Sequence, residues 1–162
     1  MRYQISIPMY SYLLFFHSIF RWLVLLSLLY AIFRGIRGRS GKLSFSKSDD
    51  SVRHIIATIS HVQLTIGYLL YFNSPFIAYF RSHYHEAIKQ FDFMFFGMIH
   101  ITLMTISIIL ITIGSSAAKR QETDEDKFRT MTVYFAIALL IIFMAIPWPF
   151  SPLANRPYLR SF

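Results

Sequence analysis

Cysteine is absent from all 162 residues. That excludes disulfides, thiolate metal centres, iron–sulfur clusters and covalently attached c-type haem. Acidic residues are scarce, eight Asp and Glu against sixteen Lys and Arg. Charge of either sign makes up only 15% of the chain and is gathered in short clusters, so the long stretches between them carry none. A soluble domain of this length has more charge, spread more evenly. Copper or zinc would want three or four clustered ligands, and no carboxylate falls inside an apolar run, which argues against such a site.

What is present is apolar. Hydrophobic residues make up 55% and the mean hydropathy is +0.47, with 17 Phe and 10 Tyr. Four runs are long enough, at about 20 residues or more, to cross hydrocarbon as a helix. They cover about 10–33, 54–75, 93–117 and 130–148, and Pro147 and Pro149 close the last. Strands of a transmembrane barrel are about half as long and alternate, which these do not. No small-residue cleavage site closes the first run, so it is expected to be a span rather than a signal peptide. Gly35 to Ser51 is expected to be a loop. The expected fold is a single all-α domain, a membrane-embedded up-and-down four-helix bundle.

The net charge of +8 does not point to nucleic acid, because the basic residues flank apolar runs instead of forming a stripe. Ten Lys and Arg sit in the loops after spans one and three, against five on the other side, including Arg2 and Arg160. The positive-inside rule then puts both termini outside the cytoplasm, in a multi-pass protein of a bacterial inner membrane. The Trp148-Pro149-Phe150 stretch is expected at the outer headgroup level.

Ionisable groups inside spans are costly and mark function. Away from the span ends these are His17, Arg21, His61 and His100, while His54, His83 and His85 sit near interfaces or loops. Spans one and three run in the same direction, and His17 and His100 each lie about 6–7 Å outside the midplane at 1.5 Å per residue. With short loops these spans are diagonal neighbours. Two histidines at one level on diagonal helices can reach a flat ligand from both faces, as bis-imidazole haem b requires. Gly97, one turn from His100, is expected to admit the ring. His61 falls roughly 12 Å deeper, which suits a supporting position or a quinone site. Arg21 needs an acceptor: Gln63, Tyr134, a backbone carbonyl, or an oxygen of haem or quinone. Each histidine can equally be structural glue, hydrogen-bonding between helices. Tyr71 is expected in an interfacial belt, as Tyr68 is less clearly.

The run His17-Ser18-Ile19-Phe20-Arg21-Trp22 resembles the H-S-x-x-R-W signature of small four-span bacterial membrane proteins labelled "cytochrome B". His61-Val62-Gln63-Leu64, with Ile66-Gly67 and Leu70-Tyr71-Phe72, is similar to that family's second span. His100, Ile111 to Gly114, Ala118-Lys119-Arg120 and Ile146 to Phe150 are similar to its remaining motifs, in the same order. The chain departs before His100, where Met98-Ile99 lacks the family's acid. The resemblance implies haem b and electron transfer with quinone or a redox partner.

Two functions remain open on these residues. One is a b-type cytochrome with His17 and His100 as iron ligands. It would exchange electrons with quinone or a respiratory subunit and would not be a complete enzyme. The other is a non-redox accessory subunit of a larger membrane complex with its histidines satisfied internally.

Overall fold

The structure, a computed structural model, describes residues 7–151, 154 and 156–159. Arg2 and Arg160, counted above toward orientation, lie outside these. Every regular element among the described residues is helical. The elements are α1 (Ile7–Ser40), α2 (Lys47–Asn73), α3 (Pro75–Ser82), α4 (Tyr84–Ala87), α5 (Phe91–Met94), α6 (His100–Lys119) and α7 (Asp124–Ala145). A π-helical turn, Phe95–Ile99, joins α5 to α6. Four helical stretches are long and apolar enough to cross a bilayer: Met9–Ser40, Lys47–Asn73, Phe91–Lys119 and Asp124–Ala145. The protein is a multi-pass membrane protein.

The packing is that of an up-and-down bundle. α1 packs on α2 and α7, and α6 packs on α2 and α7. α1 and α6 are therefore diagonal, as short connections dictate. The core runs along the axis through Leu28, Ile56, Ile111, Met131 and Phe135. Outward-facing Leu26, Leu69, Ile109, Leu140 and Met144 are exposed, an apolar jacket suited to lipid. Lipid tails give no hydrophobic drive for helices to associate, so close packing must supply it. Gly38 shows this. A Cβ there would lie 2.4–2.6 Å from three ring atoms of Phe128, so α1 approaches α7 only because that side chain is missing. Gly114 does the same against Tyr134.

The Gly35–Ser51 stretch is mostly not a loop. α1 continues to Ser40 and α2 starts at Lys47. Ser46 and Asp49 form a capping box, in which each side chain satisfies the other's backbone N–H. Asp49 is also held by Arg34, at 2.5 Å. These contacts extend the helices beyond the apolar spans at the end of the bundle that carries the α1–α2 and α6–α7 loops. We call this the basic end.

Pro147 and Pro149 end α7 as expected, with Ala145 its last residue. The chain then folds back over the bundle. Trp148 is only 7% exposed, its ring turned into the bundle. It packs edge-on to Trp22, ring centres 5.7 Å apart, and its indole N–H donates to the Phe143 carbonyl at 2.8 Å. The carbonyls freed at the helix end make that inward position favourable.

Candidate functional site

A cavity of about 390 Å³ opens between the helices toward the end opposite the basic one. Its size is within the range of ligand pockets. His17 from α1 and His100 from α6 both line it, as do Arg21 and Arg156. Leu14, Met104, Ile108 and Ile142 form apolar wall. The two histidines thus reach one cavity from diagonal helices.

His100 is fixed by its backbone neighbours. Its Nδ1–H donates to the Ala145 carbonyl at 2.8 Å, which α7 leaves free because the helix stops there. This sets the tautomer and leaves Nε2, with its lone pair, without a hydrogen bond from the described residues. The π-helical turn just before His100 sets the direction of the ring. One wider turn changes the phase of everything that follows it, and such turns concentrate at functional sites.

That turn also explains why Gly97 is not where the sequence suggests. In an unbroken α-helix, Gly97 and His100 would share a face. Here Gly97 lies in the π-turn, and a Cβ on it would fall 2.5 Å from Phe80 of α3. Its bare face seats Phe80, not a ligand in the cavity. Tyr71 donates to the Gly97 carbonyl at 2.9 Å, so Tyr71 ties α2 to this turn. Tyr68 donates to Thr105 at 2.8 Å, and Thr105 in turn to Ile101.

The glycine that does face the site is Gly67. A Cβ there would stand 3.3 Å from His17 Cε1 and 3.8 Å from its Nδ1. The signal was available in sequence, since Gly67 is the one glycine between Arg53 and Arg81. His17 Nδ1 is buried and has no hydrogen-bond partner. Gln63 donates to the His17 backbone carbonyl at 3.0 Å and lies 3.5 Å from His17 Nε2. Gln63 therefore serves His17, not Arg21.

Arg21 finds a backbone carbonyl. Its guanidinium donates to Tyr158 of the folded-back C-terminal segment, as does the indole N–H of Trp22 at 3.2 Å. It also lies 5.8 Å from the Trp22 ring and 5.9 Å from the Trp148 ring. Its Nε is buried and unpartnered. Tyr134 is not its acceptor and packs instead on Gly114. Arg156 stacks on Phe96 at 4.7 Å.

His61 is not in this cavity. It is exposed on the lipid-facing side of α2, where Nδ1–H donates to Ala57 at 2.7 Å and Nε2 lies 3.3 Å from Thr112. Thr112 is twelve residues beyond His100, about 18 Å closer to the basic end at helical rise. His61 and Arg21 consequently share no site, and a quinone pocket built on both is not present. Among the described residues, no three His, Cys, Asp or Glu cluster as a metal would need.

Comparison with protein-family models, with curated proteins and with solved structures returns no match.

Proposed function

We propose that the protein is a b-type cytochrome of the bacterial inner membrane. In this reading one haem b is held in the 390 Å³ cavity by His17 and His100, and electrons pass to or from quinone or a partner redox subunit. The observation that carries the reading is the convergence of these two histidines, from diagonal helices, on one cavity.

The residues fit the group. A ligating histidine almost always gives its other N–H to a carbonyl or carboxylate. His100 does so through Ala145. Gly67 keeps the space beside His17 open. Haem b bound between two imidazoles supplies a one-electron couple. The chain's own part is to hold the imidazoles, to exclude water with the apolar walls, and to hold positive charge at the cavity. Arg21 and Arg156 suit carboxylates such as propionates there. The charge asymmetry of the loops supports both termini lying outside the cytoplasm.

The test is replacement of His17 or His100 by Gly. Each variant should lose the six-coordinate spectrum, and added imidazole should restore it by entering the vacated volume. A His17→Gly or His100→Gly protein with an unaltered low-spin spectrum would refute the assignment.

A further inference from the structure

At the basic end, a second cleft of about 310 Å³ lies between α2 and α6, away from the haem cavity. Arg53, His54, His61, Thr112, Ser116 and Lys119 line it, and its lining contains no carboxylate. We infer that this cleft binds the phosphate of an anionic phospholipid headgroup. The inference is independent of the haem reading.

Chemistry and depth agree on this. Arg53 is 5% exposed and held in place, donating to the Ser115 carbonyl at 2.8 Å and hydroxyl at 2.7 Å. Its other edge pairs with Asp50 at 2.7 Å, so Asp50 offsets its charge. Lys119 belongs to none of the ion pairs among the described residues, and with Asp50 the one carboxylate near it and Arg53, the group keeps one net positive charge. Lys119, His54 and the Ser116 hydroxyl are exposed and offer donors, whereas Thr58 and Thr112 give their hydroxyl protons to the His54 and Ile108 carbonyls.

With the middle of the third span near Thr105, Ser115 lies about 15 Å and Lys119 about 21 Å from the midplane. The hydrocarbon half-thickness is about 15 Å and the headgroup zone ends near 20–22 Å. The donors therefore span the depth of lipid phosphate. Exposed Ile109 continues the same face of α6 toward the membrane centre, where acyl chains would run. Free phosphate would not use that apolar continuation. Basic pockets between transmembrane helices are known to take anionic headgroups.

Native mass spectrometry of the detergent-purified chain tests this. The protein is offered equal amounts of phosphatidylglycerol and phosphatidylcholine with matched acyl chains. Phosphatidylglycerol should be retained preferentially. Lys119→Gln should reduce its retention about fivefold, the usual worth of one cation near a membrane surface. Lys119→Arg should keep it, and Ser116→Leu should lose it by filling the cleft. Both sites are exposed, and unchanged helix content by circular dichroism would show that the fold is intact. Excess inorganic phosphate should not displace the lipid. Equal retention of the two lipids, an unaffected Lys119→Gln variant, or displacement by inorganic phosphate would each overturn the inference.

Discussion

Gly67 is where stability and ligand binding can be separated. An alanine there brings its Cβ to 3.3 Å from His17 Cε1, a few tenths of an ångström inside ordinary carbon contact. The imidazole borders a cavity, so it can yield by that amount. Replacing a mid-helix glycine also recovers about 0.8–1 kcal/mol of helix propensity. The two effects oppose each other, and Gly67→Ala should melt within about 3 °C of the parent. Gly67→Leu is different. Its added carbons project into the cavity beside His17, so the bundle tolerates them while the ligand space is lost. The assay is paired: thermal melting in detergent by circular dichroism, and haem per chain by Soret absorbance. Gly67→Ala should keep most of its haem. Gly67→Leu should stay folded, with haem content reduced severalfold or abolished. A folded Gly67→Leu protein with a full complement of haem would refute the placement of the site.

Other outcomes follow from the same geometry. His61→Ala should leave the low-spin spectrum intact, because His61 lies about 18 Å nearer the basic end than His100; loss of that spectrum would contradict it. Arg21→Lys should lower haem retention more than a charge-conserving change suggests, since an ammonium cannot reproduce the planar fork between Trp22 and Trp148; parent-like retention would count against a role for its shape. Gly38→Val should cost about 1–3 kcal/mol by overpacking against Phe128 and lower the melting temperature by several degrees. The chain has no native cysteine to interfere with labelling. Cysteines at Ser44 and Ser82 should therefore react from opposite faces of intact membranes, Ser82 from outside, and labelling from one face would undo the four-span arrangement.

The spans were legible because hydrocarbon demands ~20 apolar residues and tolerates few charges, and this sequence obeys that closely. The diagonal relation of α1 and α6 was legible because short loops force consecutive helices to be neighbours. What failed to show was rotation about helix axes. A single wide turn at Phe95–Ile99 turns Gly97 toward Phe80, and no propensity marks it. On α2, nothing in the pattern decided whether His61 or Gln63 faced inward; the structure puts Gln63 beside His17 and His61 outside. The fold-back after Pro147 was also hidden. Prolines announce the end of a helix, but not that Tyr158 returns to meet Ser18, Arg21 and Trp22. The loop between α1 and α2 shrank for a reason that could be read, the Ser46–Asp49 capping box, worth about 1 kcal/mol.

The central claim is that the cavity holds one haem through two histidines. The most direct measurement is the dithionite-reduced minus oxidised absorption spectrum of the protein purified from membranes, with haem quantified per chain. The account predicts a red protein, one haem per chain, and a Soret band that sharpens on reduction as a six-coordinate b-type centre should. A colourless preparation, from cells supplied with haem and with the helices intact, would contradict it.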